Sequence, residues 1–145
     1  MLYGNNRDEI RRAYCAAWDK HRQGLALEAL EQQIVAVIAL HPEYHNLLTD
    51  PDVALTRDYT PEMGQTNPFL HMGMHLAIRE QLATNRPIGI IEAFGVLMAR
   101  AQDAHAAEHH MMECLGEALW QAQRDNQSPD EARYLNCLMR LADLA

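Results

Sequence analysis

Residues 103–120 read Asp-Ala-His-Ala-Ala-Glu-His-His-Met-Met-Glu-Cys-Leu-Gly-Glu-Ala-Leu-Trp, and the rest of the chain is best interpreted around them. On a helix, residues three and four positions apart share a face. One such face holds His105, Glu108, Met112, Leu115 and Leu119. His109 lies at its border. Burial of ionisable groups is costly unless something pairs with them, and a metal ion is one such partner. The stretch therefore predicts a helix that carries a metal site toward the core.

Composition indicates a single helical domain spanning residues 1–145. The chain has 145 residues, 48% of them apolar, which is enough for one domain with a buried core. The formal net charge is −8, so nucleic acid and anionic membranes are not expected as partners. No apolar run is long enough to span a membrane, and the first ten residues do not resemble a signal peptide. These features predict a cytoplasmic protein. They leave the oligomeric state open, a homo-oligomer included, and identify no small-molecule substrate.

The three cysteines are odd in number and widely spaced. Cys15, Cys114 and Cys137 form no Cys-x-x-Cys motif. Widely spaced cysteines in a protein without a signal peptide are usually reduced. We therefore expect three thiols and no disulfide.

Periodicity and breaker residues predict an all-α bundle of five to seven helices, loosely similar to His-lined four-helix bundles. A capping box at Asn6 and Glu9 predicts a helix to about Arg22, ended by Gly24. A second helix is expected from about Leu25. At Pro42 this helix either kinks, or it stops near Leu40 and a short helix restarts with Pro42 at its first position. Residues 49–66 are expected to form a polar connection, interpreted either as a functional lid or as a crossover between helices.

The second half of the chain contains clearer boundaries. Asn67 followed by Pro68 predicts a helix start, and a further helix is expected over 88–100. A chain reversal near 101–103, with Asp103 as the next cap, would bring two pairs of histidines to the same height along the bundle. The sequence Ser-Pro-Asp-Glu at 128–131 predicts the capping box of a last helix.

Histidines recur at the i, i+4 spacing more often than chance allows. Eight histidines placed at random in a chain of this length give roughly 0.4 such pairs. Three are present, and this spacing lets two imidazoles on one helix face bind one ion. The predicted ligands are His71, His75, His105 and His109, with His41, His45 and Glu108 as further candidates.

The donor set predicts a transition metal such as Zn, Fe or Ni, because imidazole suits these ions and poorly suits Ca or Mg. The Glu-x-x-His motif of carboxylate-rich di-iron bundles is missing from the histidine-rich helices. The run from His105 to His109 does match the His-x-x-Glu-His pattern of inverzincin peptidases, in which Glu108 would act as a general base. The chain is much shorter than those enzymes, so this match carries little weight.

Two classes of function remain at this point. The first is a metal-binding bundle that acts as a metal-dependent hydrolase or handles oxygen or redox chemistry. The second is a non-enzymatic interaction or structural module. Its histidines would be core residues, satisfied by backbone carbonyls and by Glu43, Glu108 or Asp103.

Three segments carry a resemblance to a known family. They are His41-Pro-Glu-Tyr-His45, the run 58–81, and the run 103–117. Together they resemble the family called domain of unknown function 1841, along nearly the whole chain. The resemblance implies a small bacterial cytoplasmic protein and implies no particular activity. The chain is also loosely similar to hemerythrin and to DinB-like hydrolases, but in architecture alone.

Overall fold

The structure, a computed structural model, describes residues 7–59 and 66–145. These residues form eight α-helices and one 3-10 helix, and they contain no strand, which confirms the all-α prediction with slightly more helices than expected. Asn6 of the predicted first capping box and residues 60–65 of the predicted connection lie outside the described residues. Among the described helices, none combines the length and apolar character needed to cross a membrane.

The chain divides into two compact units, Met1–Gly73 and Met74–Ala145. The first contains α1 (Arg7–Arg22), α2 (Ala29–Ala39), the 3-10 helix (Pro42–Tyr44), α3 (His45–Leu48) and α4 (Pro51–Thr56). Helix α5 (Pro68–Thr84) begins in the first unit and ends in the second. The second unit continues with α6 (Ile90–Ala101), α7 (Ala104–Arg124) and α8 (Glu131–Leu141).

In the first unit, α1 packs against α2 and α4. Its buried face carries Tyr14, Ala17 and Trp18 at helical spacing, and α2 buries Ile34, Val37 and Ile38. One sequence prediction is confirmed here, and one of two alternatives that the sequence left open at Pro42 is selected. Gly24 follows α1 with φ of +72°, and the second helix stops before Pro42, which opens the short 3-10 helix.

One helix boundary in the first unit was wrong, and the predicted connection contains a short helix that the sequence did not indicate. The second helix begins at Ala29 instead of near Leu25, because the Glu31 carboxylate accepts a hydrogen bond from the Glu28 N–H and closes a capping box there. The predicted connection contains α4. A segment of six residues is too short to show helical periodicity. In addition, α4 is partly stabilised by a residue that is distant in sequence. The buried Arg11 guanidinium donates to the carbonyls of Ala54 and Arg57 at the end of α4.

In the second unit, α6, α7 and α8 pack against one another around a continuous apolar core. Fully buried members of this core are Ile78, Ile90, Ala93, Ala107, Met111 and Leu138. The predicted reversal is confirmed, since α6 ends at Ala101 and the Asp103 side chain caps α7 by accepting from the Ala106 N–H at 3.0 Å. The predicted cap of the last helix was two residues too early. Asp130, not Ser128, accepts from the Arg133 N–H.

The cysteine expectation was also wrong. Cys114 of α7 and Cys137 of α8 form a disulfide, with their Cα atoms 5.7 Å apart, whereas Cys15 is a buried free thiol. That Cα distance is typical of disulfides. Sequence spacing did not reveal the pair, because the two residues become neighbours only when α7 and α8 pack.

Gly89 provides a stability prediction for this unit. It precedes α6 with φ of +107°, and a Cβ there would lie 2.7 Å from Met139 Cε. We expect Gly89→Ala to lower the free energy of unfolding by about 1–2 kcal/mol, because L residues strain at positive φ. Gly95, within α6, has no such neighbour, so Gly95→Ala is the matched control and should stabilise by about 0.5–1 kcal/mol. Urea denaturation measures both, and an unchanged Gly89→Ala variant would contradict the prediction.

Candidate metal centre

One face of α7 presents two histidines and a glutamate. His105, Glu108 and His109 follow one another at the i, i+3 and i+4 positions, so their side chains leave the helix on the same side. Asp103 fixes where the helix starts and therefore fixes the height of His105 in its first turn. Glu108 is buried, whereas His109 remains partly accessible to solvent. This face therefore combines buried polar groups with a route to solvent.

Helix α5 supplies a third histidine to the same place. The His75 side chain is fully buried, and its ring lies 4.7 Å from that of His105 and 4.8 Å from that of His109, measured between ring centroids. The His105 and His109 rings are 4.3 Å apart. The His75 ring therefore contacts both imidazoles of α7.

The ring nitrogens are close enough to converge on one ion. One nitrogen from each of His75, His105 and His109 lies within 4.8 Å of the others. A tetrahedral ion with bonds of about 2.0–2.1 Å holds its ligand nitrogens roughly 3.3 Å apart. Small rotations of the imidazoles would close this difference, because terminal ring torsions have broad energy wells.

A carboxylate on the opposite side of the His75 ring sets its orientation. His75 Nδ1 lies 2.8 Å from Glu108 Oε1, and the same oxygen accepts from Arg79 Nε at 3.2 Å. A carboxylate only accepts, so the neutral His75 ring carries its proton on Nδ1 and its lone pair on Nε2. The Nε2 atom is buried and is the atom that a metal would bind.

The charge state of Glu108 supports this arrangement. Burial by itself would raise the pKa of Glu108, but the hydrogen bond from His75 and the positive charge of Arg79 outweigh it, and the pKa lies below its ordinary value. Glu108 is therefore ionised at neutral pH. An ionised carboxylate holding the N–H of a histidine is the arrangement that metal-binding histidines commonly have.

The family of the chain follows from its sequence match. The model of the family described as Domain of unknown function (DUF1841) matches residues 6–140. The chain belongs to this family. No curated protein and no solved structure matches it. The DUF1841 description assigns no ligand or reaction, so the chemistry of this member is argued from its side chains.

The remaining predicted ligands of this DUF1841 chain lie in the first unit. His41 is buried and donates from Nδ1 to the Val37 carbonyl at 2.7 Å, and its ring lies 5.0 Å from that of His71. His45 donates from Nε2 to the Ile38 carbonyl at 2.9 Å, and its ring packs against Trp18. As metal ligands, His41, His45 and His71 remain sequence-based predictions.

Arg79 contributes to this site, and the sequence analysis did not identify it. It follows His75 by one helical turn on α5 and contacts the same Glu108 oxygen. Its position four residues after a predicted ligand was a usable signal, since such residues share a helix face. What the sequence did not reveal is that the acidic partner comes from α7, because that contact depends on helix packing.

Proposed function

We propose that this chain binds a transition metal ion through His75, His105 and His109, with Glu108 and Arg79 orienting His75. The observation that carries the proposal is the convergence of three imidazoles from two helices, with an ionised carboxylate behind one of them. Imidazole donors favour Zn, Fe or Ni. Glu108 is better explained as the group that orients His75 than as a ligand or general base, because its Oε1 atom is already engaged by His75 and Arg79.

A metal bound in this way supports two kinds of chemistry. It would lower the pKa of a coordinated water and so favour hydrolysis, or, if the ion were Fe, it would change oxidation state and handle oxygen or electrons. We propose these as the two enzymatic options for the site. The metal found in the protein distinguishes them, because Zn has no redox chemistry.

A structural role for the histidines is the second candidate function. The hydrogen bonds from His75 and Arg79 to Glu108 satisfy several polar atoms without an ion. In that case the chain would be an interaction or structural module whose histidines specify the core.

Metal analysis of protein purified without an affinity tag tests the proposal. We expect close to one transition metal ion per chain after aerobic or anaerobic preparation. Alanine variants of His41, His45 and His71, measured in the same way, test the further ligands predicted from the sequence. Substoichiometric metal in both preparations of the unaltered protein would contradict the proposal.

Metal should also stabilise the fold in a pH-dependent way. Ligand imidazoles bind as neutral groups, so protons compete with the ion. The ordinary pKa of imidazole is about 6.5. The stabilisation should therefore be present when the ligand imidazoles are neutral and should fade as falling pH protonates them. Thermal melts with and without added Zn, Fe or Ni at pH 7.5 and pH 5 measure this effect. A melting temperature that none of the three ions changes at pH 7.5 would contradict it.

A further inference from the structure

A polar groove between α7 and α8 has the Cys114–Cys137 disulfide in its wall. The groove has a volume of about 460 Å³, within the range of small-molecule sites. Both cysteines line it. The metal centre proposed above uses neither cysteine, and none of its residues lines this groove.

Cys114 and Cys137 differ in their accessibility to a reagent in solution. Cys114 is only 3% exposed, whereas Cys137 on α8 is half-buried. A thiolate attacks a disulfide at the sulfur it can reach, and access helps to decide which sulfur that is. Attack should therefore occur at Cys137, with Cys114 as the leaving group.

Charges around the groove suit a small thiol that carries both a carboxylate and an amine. Arg133 and Arg140 lie one turn before and three residues after Cys137, and both line the groove. Negative charges are supplied by Glu117 of α7, by Asp125, which follows α7, and by Asp130, which precedes α8. Guanidinium groups next to a cysteine favour thiolates and attract carboxylates.

We propose that this groove is a thiol–disulfide exchange site for a low-molecular-weight, cysteine-containing zwitterionic thiol. The incoming thiolate forms a bond to Cys137 Sγ as the Cys114–Cys137 bond breaks, and the electron pair leaves on Cys114 Sγ, which then takes a proton from water. A second thiol molecule attacks the mixed disulfide, releasing the oxidised small molecule and leaving Cys137 reduced. The balance is two thiols oxidised for one protein disulfide reduced.

Mass spectrometry with glutathione as the probe tests this site. In Cys114→Ser, oxidised glutathione should add one glutathionyl group at Cys137, and this adduct should persist because no neighbouring thiol removes it. Cys15, buried in the same chain, is the internal control and should stay unmodified. Faster modification of Cys15, or no adduct on Cys137, would overturn the proposal.

A second test uses unaltered protein, so that its result does not depend on the folding of the Cys114→Ser variant. With reduced glutathione, the first mixed disulfide should map to Cys137, and mapping to Cys114 would overturn the assigned direction of attack. Arg133→Gln and Arg140→Gln should each slow the reaction with glutathione roughly threefold to tenfold, and should slow the reaction with 2-mercaptoethanol, which carries no carboxylate, clearly less. Equal slowing with both thiols, or none with glutathione, would overturn the assigned preference for a charged thiol.

Discussion

Replacing His109 with alanine should remove most metal binding, whereas replacing its neighbour His110 should leave binding nearly intact. Successive helical residues point about 100° apart, because a helix has 3.6 residues per turn. His109 shares a face with His105 and lies against the His75 ring, whereas His110 leaves the helix about 100° away from that face. Removal of one of three imidazoles opens the coordination shell, so we expect affinity to fall by at least about 100-fold.

Isothermal titration of the metal-free His109→Ala and His110→Ala variants with Zn measures their metal affinities directly. The two variants differ by one position in the same helix, so a general effect of removing a histidine would appear in both. Equal loss of metal in both variants would contradict the ligand assignment. If the histidines are only structural, neither variant should differ from unaltered protein in metal content. His109→Ala would then show only a stability loss, on the order of 1–3 kcal/mol.

The local signals in the sequence predicted the helices that carry this site. Asp103 marks the break before α7 because its side chain caps the helix, and this capping is a short-range hydrogen bond that a sequence motif can indicate. The His-x-x-x-His spacing reflects helical geometry alone, so the sequence was sufficient to place His105 and His109 on one face. At the start of α8 the motif predicted the cap at Ser128, and it did not show that the Asp130 side chain would accept from the Arg133 N–H instead.

Features that depend on contacts between helices were not predictable in the same way. The Cys114–Cys137 disulfide and the contact of Arg79 with Glu108 each join residues far apart in sequence. The short helix α4 is held by Arg11, more than forty residues earlier. Helical periodicity specifies which face of a helix is buried, but it does not specify which face of another helix meets it. The sequence could therefore list candidate ligands, while the pairing of Glu108 with His75 required the fold.

Glu108→Gln should weaken metal binding by about 10-fold to 100-fold without removing any imidazole. Glutamine keeps the size of the side chain and can still accept from His75 Nδ1, but it carries no charge. His75 then becomes a weaker ligand, because the carboxylate no longer increases the basicity of its ring. Glu113, exposed on the same helix, is the matched control, and Glu113→Gln should bind metal as tightly as unaltered protein. Titration with Zn distinguishes the two, and equal affinities would contradict the orienting role.

The same substitution should also change how stability depends on pH in metal-free protein. The pKa of Glu108 lies below its ordinary value of 4.5, despite burial, because His75 and Arg79 favour the ionised form. Its stabilising contribution is therefore present above the carboxyl pKa of the unfolded chain and is lost as the pH falls through the lower pKa of the folded state. In chelator-treated protein, Glu108→Gln should cost about 1–3 kcal/mol at pH 7. That difference should shrink as the pH falls below this ordinary value of 4.5. Urea denaturation across pH 3–7 measures it, and a difference that stays constant through this range would show that the charge of Glu108 contributes nothing to stability.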